Sequence, residues 1–591
     1  MINHIFHFSQ SFNAKSTSKN SLCESFIPND YFDRLISPNH TIMIGPRGSG
    51  KTTLLRMCDI EAMDIWKSEK SDDYRKRVEF TGVFVPTDRF WKVQYDRIKD
   101  FFNNDKSVMK ILNSSFLYHV LESFCNSLIY KVSYFESGSV RFRNVSLSKS
   151  HEAELVYTLA DIWKVKFNIP SLRGLAIALS IKKYEISNYI SSMESEGCIG
   201  EFFDVLDSNI IQLLEVSVQI VNQFIGTTDE KWCFLFDELE LAPDIFVQPL
   251  IDAMRGGPQN ILFKLALSPY HRGISITSDP SSTMHKQDVS FINLSGVKYE
   301  GEGFAKALAE SVFRREGLVD DIESYFEENE IDRNKDISEL SYKDNSFSDY
   351  LERMGLKGCN YSDLSTEQKS IIRRIQFNVH LRNYYKKDQL RKQGRRRPSH
   401  YYSGFLNICR ILEYNPRMII GVMSIFSGVA KAEGEVKVYR QLKCIEDYYK
   451  SFKSLLNTIA IESENRKYET LFDVIESIAK YFADEIHGEQ FSPDPRGSIV
   501  FKNEFNEHYF EAVGLAMNAG ALISDKVGTD SFYDIDNVKN SKVRLSYIFA
   551  PEFRLLMNAQ RHVDLFEILN ENKIRILDVT KRSESQMELP I

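Results

Sequence analysis

The sequence predicts an α/β fold built around a parallel sheet, and three stretches predict it. Thr41-Ile-Met-Ile44 is a short apolar run that leads directly into Gly45-Pro-Arg-Gly-Ser-Gly50-Lys51-Thr52, after which Leu54, Leu55 and Met57 return at helical spacing. Trp232-Cys-Phe-Leu-Phe236 runs straight into Asp237 and Glu238. Ile261–Leu267, closed by Ser268-Pro269, and Val289–Leu294 are two further runs of strand length. Short apolar runs suit strands covered on both faces, and strands separated by helical stretches imply right-handed crossovers within one parallel sheet.

At 591 residues the chain is too long for a single core, and length suggests roughly three or four domains. With 43% hydrophobic and 26% charged residues, the composition argues against global disorder. A net charge of −8 argues against wholesale nucleic-acid coating, though not against a local basic face. The 8 cysteines are scattered singly, with no C-x-x-C pair, which argues against a zinc site or disulfide framework and suits a reducing compartment. No apolar run approaches the roughly 18 residues of a membrane span. The start, MINHIFHFSQSF, lacks the basic and apolar regions of an export signal. A cytoplasmic protein without a membrane partner is expected.

Taken in order, residues 1–40 form a mixed lead-in with an amphipathic segment near Phe26–Ile36. The run from Gly45 to Thr52 fits G-x-x-x-x-G-K-[ST] in the strand–loop–helix setting that a P-loop requires. Gly45, Pro46, Arg47, Gly48, Ser49, Gly50, Lys51, Thr52 and Thr53 are therefore expected to cradle the phosphates of a nucleoside triphosphate. Lys51 supplies charge to the β- and γ-phosphates, and the Thr52 hydroxyl is placed for Mg²⁺. Phe80–Val85, stopped by Pro86, reads as a second core strand. From 98 to 226 the apolar spacing is helical, broken at 136–150 by a polar loop or small hairpin.

The run Lys231–Glu238 has the Walker B shape: a buried strand delivers Asp237 to the Mg²⁺ shell, and Glu238 stands where a carboxylate can activate water. Residues 304–318 form an amphipathic helix, and 319–365, acidic and sparse in apolar residues, read as an insertion or mobile linker. In 366–400, Lys386, Lys387, Arg391, Lys392, Arg395, Arg396 and Arg397 cluster beside Tyr384 and Tyr385. Such a cluster suits nucleic-acid phosphates and base stacking, or equally a solvated loop or an acidic protein surface. Asn415-Pro416 opens a helix with Arg417 in its first turn, where it can reach a γ-phosphate. A long helix is expected near 446–490, then a helix over about 504–518 ending at Gly520, with strand-like 521–526 and 543–551 as a two-stranded ribbon. Helices followed by a ribbon suggest a winged helix or a small dimerisation module.

Together GPRGSGKTT, LFDELELAP, LALSP and NPR, in that order, resemble the initiator clade of AAA+ ATPases, the origin-recognition and cell-division-control type, and its bacterial branch near the signal-transducing NTPases. The resemblance implies a P-loop core at 1–97 and 227–302, a helical insertion at 98–226, and a helical lid at 303–440 carrying a polar and basic insertion at 319–400. A helical segment and winged-helix-like domain would occupy 441–591. By position, Ser268 matches sensor 1, where asparagine is commoner, and Arg417 matches sensor 2. Arg272 stands nearest the place of an arginine finger, with Arg255 as runner-up. Leu294-Ser295-Gly296 resembles a transporter-ATPase signature but lacks its Gly-Gln and follows Walker B, so it is set aside.

The resemblance implies a Mg²⁺-dependent ATPase acting as a homo-oligomeric, DNA-associated switch or remodeller, with a separately encoded effector and a place in bacterial anti-phage defence. The alternative is a nucleotide-gated sensor or scaffold that binds a protein effector without DNA. A chaperone-like ATPase that binds only protein ranks below both. No base-reading motif separates ATP from GTP.

Overall fold

The computed structural model describes residues 17–88, 91, 95, 106–132, 141–196, 206–254, 256–271, 274, 289–294, 300–328, 331–358, 364–386, 399–461, 468–501, 507–524, 542–558 and 560–569. The chain divides into two compact units, one from 13–45 and 50–294, the other including 46–49 and 295–591.

The first unit holds the predicted α/β sheet. Its strands are β1 (His40–Ile44), β2 (Phe80–Pro86), β3 (Lys231–Asp237), β4 (Ile261–Leu267) and β5 (Val289–Asn293). They lie in the order β2-β3-β4-β1-β5, and every pairing is parallel. β3 and β4 are buried along almost their whole length, which accounts for their continuous apolar runs. The exception is Lys264 in β4, a fully buried lysine paired in register with Thr41 on one side and Leu235 on the other. Its Nζ lies 3.0 and 3.1 Å from the Ser37 and Asn39 carbonyl oxygens and 3.2 Å from Thr41 Oγ1. Burial pushes this amine below the ordinary lysine value, and the three oxygens satisfy its nitrogen where no carboxylate stands beside it among the described residues.

The helical insertion is fastened to this sheet. Helix Lys106–Lys131 packs on β2 and on helix Leu172–Glu196. Helix Ile210–Ile225, capped by Asn209 and ended by Gly226 at φ 70, sends Asn222 to the start of β3. Asn222 Nδ2 donates to the Glu230 carbonyl and its Oδ1 accepts from Trp232 Nε1, both at 2.9 Å. The Glu230 carboxylate accepts from Lys131 Nζ at 3.0 Å and from Arg143 at 3.0 and 2.7 Å, and also from Thr81 Oγ1. Burial by itself would raise this carboxyl, but Arg143, Lys131 and Thr81 hold it below the ordinary glutamate value.

In the second unit, helix Glu300–Arg315 packs on helix Pro416–Glu433. Where the sequence suggested an insertion or mobile linker at 319–365, helices Arg333–Lys343 and Asn345–Arg353 are folded. Leu340, Phe347, Tyr350 and Leu351 form a small core with Ile372, Ile375, Val379 and Phe491. The single long helix expected near 446–490 is two helices, Val438–Asn457 and Leu471–His487, the second opened by a Thr470–Asp473 capping box. The expected ribbon is part of a larger sheet: β6 (Arg496–Val500), β7 (Leu522–Ser524), β8 (Val543–Leu545) and β9 (Arg561–Asp564) lie in the order β7-β8-β6-β9. β9 runs parallel to β6, and the other two pairings are antiparallel.

One polar seam in this unit has the outline of a hydrolase triad. Asp336 Oδ2 and Ser399 Oγ each lie 2.7 Å from a ring nitrogen of His380. Ser399 is fully buried, however, and its Oγ accepts from the Tyr401 N–H at 3.2 Å. The hydroxyl closes a helix start and presents no nucleophile to a substrate.

β2 passes so close to the end of helix Lys51–Met57 that a Cβ on Gly82 would lie 1.9 Å from the Cys58 carbonyl oxygen. Gly82→Ala must displace backbone, so it is expected to cost about 2 kcal/mol or more. A chemical denaturation midpoint equal to that of the parent chain would refute this.

Candidate functional site

Within the first unit, three strand ends meet at one edge of the sheet. β4 lies between β1 and β3, so Gly45 after β1, Ser268 after β4 and Asp237 at the end of β3 are brought side by side. The Gly45 N–H donates to the Leu267 carbonyl at 3.2 Å, which ties the first two ends together. Gly50, at φ 97, turns the chain into helix Lys51–Met57 and brings no side chain of its own to cap that helix start. Lys51 is buried, and its ammonium donates to the Gly45 carbonyl. Thr52 Oγ1 lies 3.2 Å from Asp237 Oδ1, across 185 residues of sequence. Lys51, Thr52 and Asp237 thus share one edge, with Thr53 half-buried on the same helix turn.

Asp237 is held from a side that the sequence did not reveal. β2 pairs with β3 so that Pro86 stands opposite Asp237, and the buried Thr87 donates its hydroxyl to the Asp237 carbonyl at 2.6 Å. The only hint in the sequence is a threonine directly after a proline strand stop. Burial pushes the Asp237 carboxyl up to about 6; the Thr52 hydroxyl and Lys51 oppose the rise, and Glu238 and Glu240 add to it. Glu238 follows at φ 52, ψ 39, a left-handed backbone that a glutamate adopts at a cost of roughly 1–3 kcal/mol. That turn opens the short helix Leu239–Leu241 and takes Glu238 out of the strand direction. Ser268 is buried at its strand end.

Within the second unit, Pro46–Ser49 lie against the start of helix Pro416–Glu433. Asn415 caps that helix, its Oδ1 accepting from the Arg417 and Met418 N–H groups at 3.2 and 3.4 Å. Its Nδ2 donates to the Arg47 carbonyl at 3.1 Å, and the Arg417 N–H lies 3.4 Å from the Gly48 carbonyl. Gly48, at φ 86, leaves no room for a side chain, since a Cβ there would come within 2.9 Å of Asn415 Oδ1. The Arg47 N–H donates to the Asn518 carbonyl at 3.0 Å, and Ser49 Oγ is buried with no hydrogen-bond partner among the described residues. Asn415 was legible only as a helix cap before proline. Its bond to the glycine-rich loop is a tertiary fact.

Of the basic cluster, Lys386 is described, and its ammonium pairs with Asp344, which also takes Arg382. Lys387, Arg391, Lys392, Arg395, Arg396 and Arg397 lie outside the described residues, as do both arginine-finger candidates, Arg272 and Arg255. Among the described residues no helix is long and apolar enough to cross a membrane, and no group of three or more His, Cys, Asp or Glu side chains is placed to hold a metal ion.

A family profile described as ORC-CDC6-like matches residues 7–565 of the chain. Among curated proteins no match is found.

The Asp237 carboxyl titrates near 6 in the fold against 3.8 for an ordinary aspartate, so the folded chain binds the extra proton between those values. Stability therefore falls as pH rises from about 4 to about 6, by on the order of 3 kcal/mol. Asp237→Asn keeps an acceptor for Thr52 and removes that loss. Without nucleotide, the variant should melt a few degrees higher than the parent above about pH 7 and show no gain near pH 4. A lower melting temperature above pH 7 would contradict the assignment.

Proposed function

The chain belongs to the ORC-CDC6-like family, and from that premise we propose that it is an AAA+ ATPase that binds ATP with Mg²⁺, hydrolyses it and acts as an oligomeric, DNA-associated switch. The observation that carries the catalytic part is the convergence of Thr52 Oγ1 and Asp237 Oδ1, 3.2 Å apart at the rim of a buried parallel sheet. Two hard oxygens beside a buried lysine suit a divalent cation that takes its remaining ligands from phosphate and water. A carboxylate that burial drives up to about 6 is the kind of group a cation favours in its charged form. The donor set therefore fits Mg²⁺ and a nucleoside triphosphate.

When bound, Mg²⁺ supplies charge neutralisation at the phosphate oxygens. The chain's own groups then divide the work. Lys51 is the cation at the loop that meets the β- and γ-phosphates on this reading. Glu238, turned out of the strand by its left-handed backbone, is the base that orients and deprotonates water. Ser268 takes the sensor position beside them, and Arg417 and an arginine such as Arg272 supply positive charge for the transition state.

The DNA-associated part is supported by element order. Helix Leu471–His487, β6, helix Glu507–Ala519, β7 and β8 follow the helix–strand–helix–hairpin sequence of a winged helix. The basic residues from Lys386 to Arg397 supply the phosphate-binding charge on this reading. The bacterial branch near the signal-transducing NTPases, an effector encoded separately and a role in anti-phage defence complete the proposal. A second reading, a nucleotide-gated sensor that meets only protein, is favoured by two observations. Lys386 is already committed to Asp344. In the helical insertion, Ile177, Ile181 and Tyr184 stand exposed at 57%, 53% and 67% along one face of helix Leu172–Glu196, an apolar stripe of the kind that binds protein.

Lys51→Ala should abolish binding of a fluorescent ATP analogue, whereas Glu238→Gln should keep binding and lose turnover by at least about a hundredfold. Rapid turnover in Glu238→Gln would remove that residue as the base. DNA affinity measured by anisotropy should fall steeply between low and moderate salt, with a shallower slope once the basic cluster is neutralised. A slope unchanged by neutralisation would favour the protein-only reading.

A further inference from the structure

A run of hydrogen bonds that neither nucleotide motif contains connects the helical insertion to Asp237. His119, on helix Lys106–Lys131, places Nε2 2.6 Å from the Pro86 carbonyl oxygen. Pro86 stands opposite Asp237 in the sheet, and the adjacent Thr87 bonds the Asp237 carbonyl at 2.6 Å. Among the described residues β2 is the edge strand of the sheet, and His119 meets the Pro86 carbonyl on its open side.

The other face of the imidazole fixes its tautomer. Nδ1 lies 3.0 Å from Lys183 Nζ, on helix Leu172–Glu196. An ammonium can only donate, so Nδ1 accepts, and the ring proton sits on Nε2, aimed at Pro86. Lys183 is in turn held by Glu122 Oε2 at 2.6 Å, and Ser180 Oγ donates to the same carboxylate. Trp91 packs edge-on against the imidazole at 4.9 Å, and Phe116 stacks on Phe246 at 4.6 Å beside it. Burial first, and then the Lys183 charge, push the imidazole down to about 4, which keeps it neutral.

We propose that His119 is a positioning residue: through Pro86 and Thr87 it fixes the Asp237 end of β3, so that metal binding at the site depends on how the two insertion helices pack. This rests on the ATPase reading above. Two insertion helices, one edge strand and the Asp237 peptide form a single chain of contacts, every link of it inside the first unit.

The test uses the full chain and three variants. His119→Leu removes both ring contacts. His119→Gln restores a side-chain N–H that can reach the Pro86 carbonyl. Thr87→Val cuts the last link and leaves the insertion untouched. The readouts are the Mg²⁺ concentration for half-maximal ATPase, binding of a fluorescent ATP analogue in EDTA, and the melting temperature. Outer-shell partners of metal ligands typically govern 10–100-fold in metal affinity, so His119→Leu and Thr87→Val should each raise the Mg²⁺ requirement by on the order of tenfold, with metal-free nucleotide binding within about twofold of the parent. His119→Gln should recover most of that loss. An unchanged Mg²⁺ requirement in Thr87→Val, or in a folded His119→Leu, overturns the inference, as does a glutamine variant as impaired as the leucine one. If the parent chain shows no Lys51-dependent nucleotide binding, the ATPase reading itself falls and takes this inference with it.

Discussion

The geometry of the nucleotide edge depends on one buried lysine. β1 and β3 are not paired with each other, and the distance from Thr52 to Asp237 is set through β4, which lies between them. β4 is almost uniformly apolar, and a strand of that kind has little to stop it sliding by one or two residues. Lys264 stops it, because its side-chain nitrogen is held by the Ser37 and Asn39 carbonyls and Thr41 Oγ1 at the foot of β1. A shifted register would leave that buried side-chain nitrogen without its partners, at a cost of about 1–3 kcal/mol. The same residue registers with Leu235 of β3. One lysine thus aligns both neighbours of β4, and the strand ends that carry Gly45, Ser268 and Asp237 follow from that alignment.

The parts legible in the sequence were those whose function is written in consecutive residues. The glycine-rich loop, Lys51, Thr52, Asp237 and Glu238 are local patterns on strands of strong apolar character, and the five-stranded parallel sheet follows from them. What stayed hidden was carried by contacts between distant residues. Thr87 and His119 are unremarkable in sequence, since a threonine after proline and a histidine within an apolar helix have many ordinary uses. The segment at 319–365 reads as polar because its core is small and its apolar residues, Leu340, Phe347, Tyr350 and Leu351, are too far apart to show a clear period. The break between Asn457 and Leu471 was signalled only by the Thr470–Asp473 capping box, which is easily lost in a long amphipathic pattern.

Asp336, His380 and Ser399 show the converse hazard. Their distances satisfy a catalytic arrangement, but accessibility and the second bond on the serine oxygen assign them to closure of a polar seam. Asp237 has the opposite profile: it is buried, pushed toward its neutral form, and turned toward a hydroxyl on a helix that follows a glycine-rich loop. The strain of Glu238 and the desolvation of Asp237 both lower the stability of the edge where they sit. Such local costs are common where a site must be ready for a charged ligand.

The carboxylate of Glu230 has a consequence for how this protein can be rearranged. Its partners come from the end of one insertion helix (Lys131), from the polar stretch beyond it (Arg143) and from the edge strand (Thr81), while Glu230 itself immediately precedes β3. The helical region therefore cannot be lifted out as a cassette, because a chimera that excised it would strand a nearly buried anion at the foot of the strand that bears Asp237. Grafting the region onto another sheet would require the recipient to bring its own matching acid. Lineages that remodel this region must exchange these charges as a set, which makes the foot of β3 the natural seam at which to look for coordinated substitution.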